Sequence, residues 1–370
     1  MRSGIPIWRF SLVTKVVLIN SLGLGGGERI ASTVASSTNC ELWVLEKNRM
    51  LFEHSGSKVR YLSPLPNNFP NFLHRLCAIL IFPFYVFYYK VEAIQSHLLV
   101  SNLINSFYSK FLPYKSQIVQ HGSFRLLSRR KVFYLVQKLY PLSDSLVCIS
   151  DDMLKDAKEY LTHSNVIKVN NPHDLSTYTE LSFSREYIDQ INSYGDYIVV
   201  IGRLIPIKRV NDVIHALSKI KDKNLKLVIL GEGGSRGELE SLVTELDLEN
   251  RVFFLGSISN PHPIIKEAKA LVLASESEGF PNCLIESLQH ETPVVTTDCI
   301  SGPSEIVGMS LTETELIKYN DIGVMFHVGD IDSLIDILDR VTEVSFSKEK
   351  MKLTAKKFDL KNIISKYKFI

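Results

Sequence analysis

At 370 residues, the chain is longer than the roughly 250–300 residues that one hydrophobic core usually serves, so two domains are expected. Hydrophobic residues at 45% and charged residues at 22% exclude a disordered, collagen-like or coiled-coil chain. The net charge of +2 hides an asymmetry: residues 1–175 hold 20 Lys and Arg against 11 Asp and Glu, and the remainder holds 22 against 29, which points an anionic partner at the first part.

The opening M-R-S-G-I-P-I-W-R-F-S-L-V-T-K is basic but has no continuous apolar run ending in a cleavage site, so no secretory leader is expected. Short β-rich runs then alternate with longer amphipathic stretches. The first series falls at residues 15–20, 40–46, 92–98, 116–122, 145–151 and 167–172. A mostly polar linker with one short helix is read over 173–196. The second series lies at 197–203, 226–232, 252–256, 270–275, 293–298 and 323–328. Most runs are continuous Val/Ile/Leu, as in parallel strands covered on both faces, and the alternation predicts α/β architecture: two Rossmann-like, doubly wound domains facing a cleft. Their bounds are read as 1–175 and 176–350, with a closing helix over 351–370 that crosses back to the first domain. Five widely spaced cysteines (Cys40, Cys77, Cys148, Cys283, Cys299) form no C-x-x-C pair and fit a reducing cytoplasm.

Several strand ends carry chemistry. L-G-L-G-G-G-E-R-I, following the first strand, brings Gly25 and Gly26 to a helix N-terminus, where glycine permits close backbone approach and the free amides favour an anion. A dinucleotide-binding fold begins in the same way, and Glu46 stands near the distance expected of its ribose carboxylate, although Glu28 occupies the place of the third glycine. V-Q-H-G-S-F sets His121 at a strand end. G-R-L-I-P-I-K puts Arg203 and Lys208 after the first strand of the second series, where two cations can neutralise a diphosphate. L-G-E-G-G follows the next strand as a weak phosphate-loop signal. E-S-E-G-F-P-N-C-L-I-E, residues 276–286, sets Glu278 at a strand end and Glu286 in the following helix; by spacing alone it also fits a solvated loop with ordinary helix-start acids.

Taken in order, G-R-L-x-x-x-K, L-G-E-G, V-x-F-L-G, E-G-F-P-N-x-L-I-E, T-P-V-V-T-T-D and S-G-P-S-E-I-V resemble the donor domain of family-4 glycosyltransferases, over roughly residues 195–330. The resemblance implies the GT-B fold and a retaining, metal-independent transfer with no cofactor beyond the nucleotide-sugar co-substrate. It implies that Arg203 and Lys208 bind the pyrophosphate, that Glu278 and His121 lie beside the donor sugar, and that Glu286 holds the ribose. The backbone of Gly279, Phe280, Pro281 and Asn282 would line the donor, with Gly25 and Gly26 at its phosphates. His97 matches a second recurring histidine on the acceptor side. E-G-F-P-N is closer to members using UDP-hexoses or UDP-N-acetylhexosamines, and surface polysaccharide assembly of O-antigen or capsule type is the implied pathway, with a lipid-linked or glycan acceptor.

Two apolar segments bear on localisation. The run 76–89 (L-C-A-I-L-I-F-P-F-Y-V-F-Y-Y) reads as a buried or interfacial helix, short of a membrane span at about 14 residues. The segment 123–140, S-F-R-L-L-S-R-R-K-V-F-Y-L-V-Q-K-L-Y, reads as one basic amphipathic helix of the interfacial kind, and its moment pattern equally fits a buried amphipathic helix. Together they predict a cytoplasmic protein resting peripherally on an anionic inner leaflet. No nucleic-acid reading motif accompanies the basic half. The alternatives are a nicotinamide-dependent oxidoreductase, a GT-B sugar-nucleotide epimerase and a non-catalytic nucleotide-sugar sensor.

Overall fold

The computed structural model describes residues 15–23, 25–47, 57–178, 191 and 193–367. The short helix expected in the linker falls on residues outside this set, as do the first fourteen residues. Two seven-stranded sheets carry the chain. The first comprises β1 (Lys15–Ile19), β2 (Glu41–Val44), β3 (Val59–Tyr61), β4 (Ala93–His97), β5 (Lys115–Gln120), β6 (Ser145–Cys148) and β7 (Val166–Lys168), in the order β3-β2-β1-β4-β5-β6-β7, parallel throughout. The second comprises β8 (Tyr197–Ile201), β9 (Lys226–Leu230), β10 (Val252–Gly256), β11 (Ala270–Leu273), β12 (Val294–Thr297), β13 (Ile317–Asn320) and β14 (Gly323–Phe326), in the order β10-β9-β8-β11-β12-β14-β13. Only β13 runs antiparallel there, in a hairpin with β14.

Burial explains the elements. Val16 to Ile19, Leu42 to Val44, Leu271 to Leu273 and Val294 to Thr297 are all buried, because helices cover both faces of each sheet. Among the parallel strands each sheet reverses its order at one place, between β1 and β4 and between β8 and β11. Ligands of such sheets bind outside the carboxyl ends of the strands at that reversal. His97 ends β4, and the segments leaving β1, β8 and β11 hold the glycine loop, Arg203 with Lys208, and Glu278.

Two helical expectations change. The apolar run extends into an 18-residue helix, α2 (Asn71–Tyr88), following α1 (Gly26–Ser37). By length and composition α2 is apolar enough to cross a membrane, yet Ala78, Phe82 and Val86 are buried, with Phe82 edge-on to Trp43 of β2. Its other side leaves Phe72, Leu76, Leu80, Phe84 and Phe87 between half and 70% exposed. After α3 (Leu99–Ser109), segment 123–140 proves to be two short helices, α4 (Phe124–Ser128) and α5 (Phe133–Leu139). Their apolar residues Phe124, Leu127, Phe133 and Val136 belong to the core, and Arg125 pairs with buried Asp156, so most of the face read as interfacial is spent inside the protein.

The remaining helices are α6 (Asp151–Tyr160), α7 (Val210–Lys219), α8 (Arg236–Glu245), α9 (His262–Glu267), α10 (Asn282–Gln289), α11 (Pro303–Val307), α12 (Ile331–Leu338), α13 (Lys348–Lys356) and α14 (Leu360–Ile363). The chain end packs α13 on α10, and His173 exchanges backbone hydrogen bonds with Phe358 and Leu360 at 2.9 and 2.8 Å.

Candidate active site

Beyond β8 the chain makes one 3-10 turn, Pro206–Lys208, which turns Lys208 back over the strand ends. Its Nζ lies 2.5 Å from Glu278 Oε1, and Ser275 Oγ donates to the same oxygen at 2.6 Å. Both partners are largely enclosed, the lysine side chain 19% and the carboxylate 9% exposed. A small pocket beside them is lined by Gly202, Arg203, Lys208, Ala274 and Ser275. Arg203 is exposed and close enough to Glu28 of the glycine loop to offset part of the rise that burial imposes on that carboxyl. Two cations, one paired and one facing the opposite sheet's loop, therefore meet at the second sheet's reversal point.

The E-G-F-P-N loop crosses the cleft. A Cβ on Gly279 would overlap the His121 carbonyl, so only glycine lets this loop reach the end of β5. Phe280 turns its ring into the core against Phe358, centroids 5.4 Å apart, and so anchors the loop from behind. Pro281 ends the loop at the start of α10. Asn282 accepts from Asn171 at 2.8 Å, with its amide facing Gly26 of the glycine loop. Gly25 and Gly26 open α1 opposite the opening of α10, so two helix N-termini converge on the cleft.

His121 is fixed from beneath. Its Nε2 is 2.8 Å from Nδ1 of His97, which is wholly buried and bonded through Nε2 to Gln95, and Gln95 bonds Gln117 in turn. Burial pushes the His121 imidazole down to about 4, so it is neutral at pH 7 and acts as a hydrogen-bonding group, not a cation. His97 is held well below its ordinary value for the same reason, with His121 adding to the effect.

Glu286 lies in the second turn of α10 and is 5% exposed. Burial raises its carboxyl, and Arg29 of α1 opposes the rise from 3.3 Å away. Arg29 had no role in the sequence reading. Its signal was a charged pair, Glu28-Arg29, in the first turn after the glycine loop. A second set of unforeseen contacts clasps the two halves behind the Gly279 loop, which Gly302 abuts. Ser150 Oγ meets Ser301 Oγ at 2.7 Å, and the Ser301 amide donates to Asp152. Glu305 accepts from the Asp151 amide, Asn170 and Lys168 at 2.6–2.8 Å. Ser150 and Asn170, at the ends of the runs 145–151 and 167–172, thus serve this clasp.

The nicotinamide alternative loses its carboxylate: Glu46 is 3% exposed and is engaged by Arg75 at 2.5 Å. Among the described residues, no three His, Cys, Asp or Glu side chains are grouped to hold a metal ion.

Residues 185–358 match the family model described as glycosyl transferases group 1, and the chain is a glycosyltransferase of the GT-B fold. It is similar to relatives named for lipopolysaccharide and lipid-linked glycan synthesis. An N-acetylgalactosaminyltransferase of Campylobacter jejuni, named for a diphospho-undecaprenol acceptor, is 27% identical over 93% of this chain and 95% of its own. The lipopolysaccharide 1,6-galactosyltransferase of Escherichia coli is 29% identical over 41% of each chain. An uncharacterized glycosyltransferase of Methanocaldococcus jannaschii is 37% identical, but over 35% of this chain and only 32% of its own length. Among solved structures, Anabaena HepE in complex with UDP-glucose superposes with a TM-score of 0.78 at 16% identity, covering 95% of this chain and 97% of that one.

Proposed function

We propose that this enzyme transfers a sugar from a UDP-linked donor to a hydroxyl of a lipid-linked glycan, with retention and without a metal, in surface polysaccharide assembly of O-antigen or capsule type. The observation that carries this reading is the Lys208–Glu278 pair with Arg203 beside it, set at one sheet's reversal point, while the next residue of its loop, Gly279, reaches the His121 carbonyl beyond β5 of the other sheet. Lys208 and Arg203 would bind the diphosphate and stabilise the charge that grows on it as the bond from the anomeric carbon to phosphate oxygen breaks. Glu278 already receives Lys208 and Ser275, which suits it to orienting a sugar hydroxyl and not to attacking carbon. A retaining double displacement in glycosidases uses two carboxylates about 5 Å apart, one of them free to attack carbon, whereas Glu278 is tied to Lys208 and Ser275. The acceptor oxygen would then bond to the anomeric carbon on the face the phosphate leaves, and its proton would pass to a phosphate oxygen. Two relatives named for diphospho-undecaprenol acceptors support a lipid-linked substrate.

The donor site is tested by thermal shift. At 100 times its dissociation constant UDP should stabilise the wild type by about 2.7 kcal/mol. Glu286→Ala should remove that shift, and an undiminished shift in the variant would place the nucleotide elsewhere.

For the membrane, the exposed stripe of α2 replaces segment 123–140 as the contact we propose. Leu80 at 70% and Phe84 at 63% exposed stand outward on a helix whose opposite face is anchored in the core. A double change to Asp, Leu80→Asp with Phe84→Asp, should abolish co-flotation with anionic vesicles and leave the melting temperature near wild type. Undiminished flotation would exclude α2 as the contact.

A further inference from the structure

Arg29 projects from the first turn of α1, in the first sheet's half, into the second half. Its Nη1 lies 3.3 Å from Glu286 Oε1, and its Nη2 donates at 3.0 Å to the backbone carbonyl of Ser259, in the segment leaving β10. One planar guanidinium thus joins α1, α10 and the β10 loop, across 257 residues of sequence. The Glu286 side chain is 7% exposed and Arg29 31%. A carboxylate this enclosed is costly to keep charged unless it is paired, and Arg29 is the cation recorded against it among the described residues. The Ser259 carbonyl occupies the other arm of the fork, so the guanidinium is fixed in plane and direction. It engages Oε1, and among the described residues no donor meets Oε2.

We propose that Arg29 is a positioning residue of the donor's ribose subsite, neutralising and orienting the Glu286 carboxylate toward the ribose 2′- and 3′-hydroxyls from the opposite half of the enzyme. This rests on the reading of Glu286 as the ribose carboxylate. A group supplied across the cleft makes the grip on ribose depend on closure: with the halves apart, Glu286 would be buried without its counter-charge and would be a poorer acceptor. Burial raises the Glu286 carboxyl and Arg29 is the group opposing that rise, in keeping with the geometry.

The test compares UDP with 2′-deoxy-UDP by calorimetry in wild type, Arg29→Ala, Arg29→Lys and Glu286→Gln. Wild type should prefer UDP. Arg29→Ala should bind UDP about 10- to 150-fold more weakly, the range for a hydrogen bond involving charge, and lose less affinity for the deoxy ligand, which has only the 3′-hydroxyl at this subsite, so that the preference narrows. Arg29→Lys should recover part of it. With substrate, KM for the donor should rise more than kcat falls. Retained binding of 2′-deoxy-UDP shows that a variant is folded. An Arg29→Ala protein that keeps the wild-type ratio while Glu286→Gln loses it would overturn the role of Arg29 alone. If Glu286→Gln keeps the ratio as well, the ribose reading falls and the proposal falls with it.

Discussion

Lys208→Ala is expected to lower kcat by about 10²–10³, the loss seen when one preorganised group facing developing charge is removed. Lys208 is delivered by a single 3-10 turn and held by Glu278 at 2.5 Å, so it is in place before any donor arrives. The same change strands Glu278, which is 9% exposed. Stability should therefore fall toward the lower end of the roughly 3–5 kcal/mol that breaking a buried pair costs, since the lysine is partly solvated. The double variant Lys208→Ala with Glu278→Gln should regain much of that stability and none of the activity. Steady-state kinetics with thermal unfolding separates the two effects. A kcat within threefold of wild type would remove Lys208 from the chemistry.

Gly279→Ala should be the other severe change. The added methyl would occupy the space of the His121 carbonyl, so the loop must withdraw from the first half. Displacement on the order of 1 Å at a reacting centre costs about 10²-fold. The loss should fall on kcat, because Glu286 and Lys208 are carried by other elements, and UDP affinity should stay within a few-fold of wild type. Gly237→Ala is the control: it lies on α8, where a Cβ meets nothing within 4 Å. Equal behaviour of the two alanine variants would show that the close approach at Gly279 has no part in turnover.

The strands buried on both faces were legible because continuous Val/Ile/Leu runs have no other common use. The two that escaped, β3 and β13, lie at sheet edges, and their residues Val-Arg-Tyr and Ile-Lys-Tyr-Asn are only partly buried. α2 was ambiguous for the opposite reason. Phe72, Leu76, Leu80 and Phe84 are as apolar as the inward Ala78, Phe82 and Val86, so no periodicity marks which side is covered. Segment 123–140 misled because Arg129, Arg130 and Lys131, read as the polar face of one helix, fall at the break between two. In the site, residues next to a strand end could be placed from the strand alone, which covers Arg203, Lys208, Glu278 and His121. The pairing of Arg29 with Glu286, or of Ser150 with Ser301, arises only when two halves of the chain come together, and neither residue carries a local mark of its partner.

The clasp at Ser150, Ser301 and Glu305 gives the molecule a spine. Its contacts form one edge of the join between the halves, and the Gly279 loop is seated against it: the Glu278 amide donates to the Ile300 carbonyl, and Gly302 abuts Gly279, Phe280 and Pro281. Opening that kept these bonds would be a turn about this edge, as a book opens, and not a sliding of one sheet over the other. Leverage would then scale with distance from the spine, so the Gly279 loop, seated against Gly302, would move least and the parts farthest from Ser301 most.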